Sequence, residues 1–122
     1  MYNDTVMDHF HSPRNYGILP EGNASSKVTS SVTGDIVFLS LSIMEGCIRD
    51  IRGAVFGCAA SIAAVSLLTT LVKGCSLDEA DQITETQLIE TMGGLPEAKL
   101  ECTTLAIEAL RQAMENYGAK ND

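Results

Sequence analysis

The sequence is poor in the features that nucleic-acid binding, membrane insertion and export require. It has 8 lysines and arginines against 16 aspartates and glutamates, a formal net charge of -8. Because contacts to phosphate groups need clustered basic side chains, this balance argues against a nucleic-acid partner and favours basic protein partners. No apolar run reaches the ~18 residues of a membrane span, and the acidic N-terminal stretch lacks the apolar core of a secretion signal. We therefore expect a cytoplasmic protein with no membrane partner.

The four cysteines lack the spacing of the common metal motifs. They stand at Cys47, Cys58, Cys75 and Cys102, so no two form a C-x-x-C pair and no zinc-finger or ferredoxin signature is present. An even number of cysteines permits disulfides, but a reducing compartment keeps thiols free. Any metal site must therefore be assembled in three dimensions from separate segments.

Histidine is also scarce, which argues against one class of enzyme. The two histidines are His9 and His11, and none follows them in the chain. A cysteine nucleophile is commonly activated by an adjacent base, and no Cys-His pair is evident near Cys58 or Cys102. We therefore expect a protein that is not an enzyme, and we interpret both histidines as capping or decorating the first helix.

The hydrophobic pattern predicts a single α+β domain over residues 1–122. A chain of this length can bury about 65% of its unfolded surface in one core. A short helix over 3–11 is ended by Pro13, and strands are predicted over 27–32, 35–44 and 48–57 with turns at Gly34 and Gly46. Three consecutive short strands most simply form an antiparallel sheet. Val37, Leu39, Leu41 and Ile43 alternate in the second strand and should form its buried face.

The second half of the sequence predicts helices. From Ala59 onward, apolar residues recur at intervals of three and four, which indicates a helix of about 14 residues. Capping-box patterns at 76–79 and 84–87 predict two short helices. The last helix is predicted to end near Gly118. Its predicted buried face consists of Leu105, Ala109, Ala113 and Met114. The expected fold is a small three-stranded antiparallel sheet with helices packed on one face.

Two cysteines stand where predicted helices begin. Cys58 precedes the first long helix and Cys102 opens the last one. Helix N-termini favour negative charge and can lower a thiol pKa, so both sulfurs could act as soft-metal ligands if the two helix starts converge. Asp35 and Glu101 are candidate oxygen ligands. Buried apolar cysteines and solvated carboxylates are the competing interpretations. Cys47 and Cys75 lie in turns, and we assign them no role.

Five motifs in the same order resemble one protein family. They are "TGD" at 33–35, "FGCAASIAAVSLL" at 56–68, "LVKGCSLDEA" at 71–80, "LPEAK" at 95–99 and "LECTTLAIEAL" at 100–110. Together with "DHFHSPRNYG" near the start, they resemble the IscU/NifU-type iron-sulfur cluster assembly scaffolds over nearly the whole chain. The resemblance implies the IscU/NifU-like (SufE/NifU-type) fold.

The resemblance also implies a ligand set, from which this sequence departs. The family builds its cluster on three cysteines and an aspartate, of which Asp35, Cys58 and Cys102 are present here. Thr33 stands where the first family cysteine is expected, and Glu101 stands where many members have histidine. Because iron-sulfur clusters favour sulfur donors, a threonine hydroxyl is a poor replacement. Glu101 would then supply the fourth ligand, and we expect such an oxygen-rich 2Fe-2S cluster to be labile.

Two functions remain open at this point. In the first, the chain accepts iron and sulfide at these four positions and passes the cluster to apo iron-sulfur acceptor proteins, with a cysteine desulfurase as the sulfur source and Cys102 receiving the sulfur. In the second, a degenerate paralogue binds the desulfurase and at most a single zinc or iron ion. The stretch from Leu95 to Lys99 corresponds to the family's "LPPVK" segment for an Hsp70-type chaperone, with its two central residues changed. The sequence leaves open whether the chain forms a homodimer.

Overall fold

The structure is a computed structural model that describes residues 2–121, with side chains described through residue 118. Its elements in chain order are α1 (Asp4–His11), β1 (Ala24–Thr29), β2 (Ile36–Met44), β3 (Cys47–Phe56), α2 (Ala59–Val72), α3 (Leu77–Asp81), α4 (Glu85–Thr91), a 3-10 turn (Glu97–Lys99) and α5 (Glu101–Asn121). Among the described helices, none combines the length and the apolar character needed to cross a bilayer.

The three strands form one antiparallel sheet in the order β1-β2-β3. The predicted apolar face of β2 is buried, from Val37 through Leu39 and Leu41 to Ile43. This confirms the alternation read from the sequence, because successive side chains of a strand point to opposite faces. The domain therefore has the expected α+β fold, and one face of its sheet packs against the core.

The first strand ends earlier than predicted. The sequence pattern placed a strand over 27–32, whereas β1 ends at Thr29 and a turn follows. The Ser30 hydroxyl accepts hydrogen bonds from the N–H groups of Val32 and Thr33, and Gly34 has a φ of 81°. Such side-chain bonds to the local backbone compete with strand pairing, and the positive φ favours glycine. The turn brings the chain round to β2.

Helices α2 and α5 cover the buried face of the sheet. α2 packs closely on β3 at Gly53, where an added Cβ would lie 2.5 Å from a methyl of Val65. Along α5, Leu105, Ala109 and Ala113 are buried as predicted, and Met114 packs against the core from its edge. Burial of these faces is the main source of the fold's stability.

Helix ends are largely as predicted, with one correction. Ser76 and Thr84 both form complete capping boxes, with Glu79 and Gln87 respectively. α5, however, continues past Gly118 to Asn121. Gly118 is not among the described residues with positive φ, so it lacks the left-handed conformation by which a glycine ends a helix.

His9 is buried rather than on the surface of the first helix. Only 8% of the residue is exposed, and its Nδ1 lies 2.7 Å from the hydroxyl oxygen of Ser66 on α2. The same hydroxyl accepts a hydrogen bond from the backbone N–H of Arg14. The expectation that His9 decorates the helix was therefore wrong, because α1 packs its His9 side against α2. His11 is exposed.

Candidate metal centre

Three of the four predicted ligand residues meet at one end of the sheet. Asp35 immediately precedes β2, Cys58 immediately precedes α2, and Cys102 lies in the first turn of α5. One ligand atom from each lies within 4.8 Å of the other two. We call Asp35, Cys58 and Cys102 the ligand cluster. The two helix starts therefore converge, which is the condition that the sequence left open.

The sheet register explains why Asp35 and Cys58 are neighbours. Ile36, the first residue of β2, pairs with Phe56, the last residue of β3. Because the strands are antiparallel, the residue before β2 and the residues after β3 lie at the same edge. Cys58 then takes the N-cap position of α2 with extended backbone, and its thiol lies 3.6 Å from the Ser61 hydroxyl and beside Asp35.

The two thiols of the ligand cluster are in contact. The Sγ atoms of Cys58 and Cys102 lie 3.7 Å apart. Cys58 is half-buried, whereas Cys102 is only 4% exposed. All four cysteines of the chain are free thiols, so none is withdrawn into a disulfide. Two sulfurs are thus held beside a carboxylate.

The environments of the two thiols differ. Burial acts to raise the pKa of Cys58, but hydrogen bonds with Ser61 and Cys102 and the positive charge of Lys99 outweigh it and lower this pKa. Burial raises the pKa of Cys102 to about 11, and the nearby charges of Cys58 and Asp35 raise it as well. The hydroxyl of Ser61 acts to lower this pKa but does not outweigh burial. The expected lowering by a helix start is therefore wrong for Cys102. Because thiolates are the reactive form, the Cys102 thiol is the less nucleophilic of the two.

Two residues that sequence reasoning missed fix the position of Asp35. The Ser61 hydroxyl donates a hydrogen bond to the Asp35 carboxylate, with 2.6 Å between Oγ and Oδ2. A Cβ added at Gly57 would lie 2.7 Å from the same carboxylate, so only glycine leaves room for it here. Ser61 stands three residues after Cys58, the helical interval that places two side chains on one face. That interval was the signal in the sequence that could have identified Ser61.

Thr33 shapes the turn that carries Asp35. It is exposed, and its hydroxyl accepts a hydrogen bond of 3.2 Å from the backbone N–H of Asp35. This bond directs the backbone into β2 and occupies a lone pair of the hydroxyl. Thr33 therefore orients Asp35 through the main chain.

Glu101 and the remaining cysteines stand outside the ligand cluster. Glu101 is half-buried and begins α5 next to Cys102, but its carboxylate is not among the three mutually close ligand atoms. The Cys75 thiol donates to the carbonyl oxygen of Leu71, 3.3 Å away, and Cys47 lies where β3 begins. Neither Cys47 nor Cys75 belongs to the ligand cluster, as the sequence predicted.

Comparison with protein families decides the relationship that the motifs suggested. The model of the NifU-like N terminal domain matches residues 1–122. The chain belongs to this family. Two scaffold proteins named IscU 1 and IscU 2 from Archaeoglobus fulgidus are 40% identical to it over 121 residues, which cover 99% of this chain and 79% of theirs. The IscU scaffold of Escherichia coli K12 is 38% identical over 125 residues, covering 99% and 97%.

Solved structures of NifU-like proteins share the fold. A NifU-like protein (N-terminal) from Brucella abortus superimposes with a TM-score of 0.76 at 20% identity, covering 97% of this chain and 94% of its own. A protein from Fervidobacterium islandicum, described as a putative iron-sulfur cluster assembly scaffold for the SUF system, gives 0.76 at 19% identity, covering 93% and 96%. At this identity the likeness establishes the fold, which agrees with the NifU-like architecture expected from the sequence.

Proposed function

We propose that this NifU-like chain is an iron-sulfur cluster assembly scaffold, which binds iron and sulfide through cysteine and carboxylate ligands and transfers the cluster to apo-proteins. The observation that carries the proposal is the ligand cluster itself. Two free thiols and a carboxylate from three separate segments meet within 4.8 Å in a chain whose relatives are named as such scaffolds. The cluster is cargo in this account, so the chain acts as a carrier rather than an enzyme.

The spacing of the two sulfurs suits a shared metal ion. With metal-sulfur bonds of ~2.3 Å and tetrahedral angles, two thiolates on one ion lie ~3.8 Å apart. The Sγ atoms of Cys58 and Cys102 are already 3.7 Å apart. Thiolates are the ligands that iron-sulfur clusters prefer. The pair is therefore set to bind iron with little rearrangement.

The remaining ligands are oxygen atoms. Asp35 faces the thiol pair, and we propose Glu101 as the fourth ligand, because it precedes Cys102 at the start of α5 and is half-buried there. A 2Fe-2S cluster with two oxygen ligands is expected to be labile, since iron-sulfur clusters favour sulfur donors. Such lability suits a scaffold that transfers its cluster to acceptor proteins.

The alternative of a degenerate paralogue is not favoured. Thr33 and the altered segment at 95–99 motivated it, but the relatives that match almost the whole chain are named as assembly scaffolds. The same residues can bind a single zinc or iron ion, and such a form is compatible with a scaffold on which a cluster is being assembled.

The proposed function requires particular partners. A cysteine desulfurase supplies sulfur as a persulfide, a thiol reductant reduces that sulfur to sulfide with two electrons, and the completed cluster is transferred to apo iron-sulfur acceptor proteins. We further propose that the segment from Leu95 to Lys99 binds an Hsp70-type chaperone. Glu97 and Ala98, the two residues that depart from the family pattern, are exposed in the 3-10 turn directly before α5. A chaperone bound there would reach the helix that carries Cys102.

An anaerobic transfer assay tests the proposal. The chain is mixed with a cysteine desulfurase, cysteine, ferrous iron and a thiol reductant, and an apo-ferredoxin is then added while visible absorption and circular dichroism are recorded. We expect a cluster to form on the chain and then to appear on the ferredoxin. A ferredoxin that fills no faster with the chain than with Cys58→Ala would refute the scaffold function.

A further inference from the structure

Ser61 contacts two members of the ligand cluster. Its hydroxyl donates to Asp35 Oδ2 at 2.6 Å and lies 3.6 Å from Cys58 Sγ. The residue is only 1% exposed. A buried hydroxyl needs hydrogen-bond partners, and here these partners are the candidate ligands themselves.

The contacts of Ser61 counteract a problem inherent in the site. The ligand atoms of Asp35, Cys58 and Cys102 lie within 4.8 Å of one another, and thiols are weak hydrogen-bond donors, so without another donor the Asp35 carboxylate would turn toward solvent. The Ser61 hydroxyl holds one carboxylate oxygen, and Gly57 leaves the space that the carboxylate occupies. Asp35 is thereby fixed before any metal arrives.

A second buried serine on the same helix shows that burial alone does not create this arrangement. Ser66 is 2% exposed, but its hydroxyl bonds to His9 and to the backbone N–H of Arg14. Neither of these two partners is a member of the ligand cluster. Ser66 therefore serves the packing of α1 on α2 and offers a matched control.

We propose that Ser61 is a positioning residue, whose hydroxyl holds Asp35 beside the two thiols in the geometry that binds metal. This inference shares one assumption with the proposed function, namely that the ligand cluster binds a metal ion. Residues that orient metal ligands typically change affinity by about 10–100-fold when removed. We expect a loss of this size from Ser61→Ala, transmitted through Asp35.

A cobalt titration with a double-mutant cycle tests the proposal. Co²⁺ alone is added anaerobically to the purified chain, to Ser61→Ala, to Asp35→Ala and to the double variant. Ser61→Ala should weaken binding by about 10–100-fold, while the thiolate-to-cobalt charge transfer per bound ion stays unchanged. In the Asp35→Ala background the same substitution should have little further effect. Ser66→Ala should lower stability to urea but leave the Co²⁺ affinity unchanged.

Several results would overturn the proposal. They are an unchanged affinity in Ser61→Ala, an equal loss with and without Asp35, or the absence of Co²⁺ binding by the natural chain. If Ser61→Ala fails to fold, Ser61→Cys is measured instead. Its sulfur would lie beside the metal, so the thiolate-to-cobalt charge-transfer absorption per bound ion should increase. An unchanged absorption would contradict the placement of residue 61 next to the metal. The cobalt titration contains no sulfide, desulfurase or acceptor protein. It can therefore refute the role of Ser61 while the transfer assay supports the scaffold function, and it can support the role of Ser61 while the transfer assay refutes that function.

Discussion

The Sγ atoms of Cys58 and Cys102 lie 3.7 Å apart although 44 positions separate them in the chain. The first sulfur is placed by the end of β3 and the second by the start of α5, so the contact depends on the packing of both helices on one sheet. A metal bound between them would cross-link these elements. Binding should therefore stabilise the fold as well as fill the site.

The first prediction concerns the two thiols. Cys58→Ala and Cys102→Ala each remove one of the two sulfur ligands, so each variant should lose the iron that the natural chain retains after anaerobic reconstitution and gel filtration. Iron per chain, measured by a colorimetric assay, reports the result. Circular dichroism of each variant checks that the helices persist, because Cys102 is buried in the packed face of α5.

Cys75→Ala is the matched control. It also removes a half-buried thiol, one that bonds to the carbonyl of Leu71 outside the ligand cluster. Its iron content should equal that of the natural chain. Retention of iron by either Cys58→Ala or Cys102→Ala would remove that cysteine from the site.

The second prediction concerns the space beside Asp35. In Gly57→Ala the new methyl would lie 2.7 Å from the carboxylate, so the Asp35 carboxylate must shift from its place beside the thiols. We expect weaker Co²⁺ binding with little change in the free energy of unfolding, because Gly57 is exposed and the atoms that must shift are the end of a half-buried side chain. Titration with Co²⁺ and urea unfolding measure the two effects.

Gly118→Ala provides the comparison for this substitution. Gly118 lies within α5 and an added Cβ there meets nothing within 4 Å. Replacing glycine by alanine inside a helix should stabilise the fold by about 1 kcal/mol and leave metal binding unchanged. Equal Co²⁺ affinity in Gly57→Ala and in the natural chain would show that Asp35 is not held in the way described.

The third prediction concerns pH and His9. Burial, together with the positive charge of Arg14, lowers the pKa of His9 below its ordinary 6.5, although Asp8 acts in the opposite direction. The unfolded chain therefore takes up a proton near pH 6.5 while the folded chain does not. The free energy of unfolding should be unaffected by His9 above this pH. It should fall as the pH drops below 6.5 toward the folded pKa.

Urea unfolding at about pH 7.5 and about pH 5.5 measures this loss, since few carboxyl groups titrate in that interval. His9→Asn places a neutral amide near the position of Nδ1 and should show a smaller difference between the two pH values. An equal difference in the variant and in the natural chain would assign the pH dependence to other groups.

Local patterns in the sequence were sufficient for much of the fold. The alternation from Val37 to Ile43 gave the buried face of β2, and the patterns at Ser76 and Thr84 gave both capping boxes. The end of β1 was misplaced because the Ser30 hydroxyl bonds to its own turn, a competition that strand patterns do not register. The end of α5 was misplaced at Gly118, because the sequence alone does not show whether a glycine lies within a helix or takes the left-handed conformation that ends one.

The site depended more on tertiary packing. Motif order identified Asp35, Cys58 and Cys102 by resemblance, and the structure brought all three together. The raised pKa of Cys102 could not be foreseen, because it arises mainly from burial, which depends on how α5 packs against the rest of the fold. The partnership of Ser61 with Asp35 likewise joins residues 26 positions apart. Only the helical interval between Cys58 and Ser61 was local.

The most direct test of the scaffold function is the amount of iron and acid-labile sulfide per chain after anaerobic reconstitution, with Thr33→Cys measured beside the natural chain. The account predicts near-stoichiometric iron and sulfide in the natural chain, with the visible absorption of a cluster, because the proposed ligands Asp35, Cys58, Glu101 and Cys102 would suffice to hold it. Iron and sulfide retained only by Thr33→Cys would contradict it, since the natural site would then have lost the ability to hold a cluster.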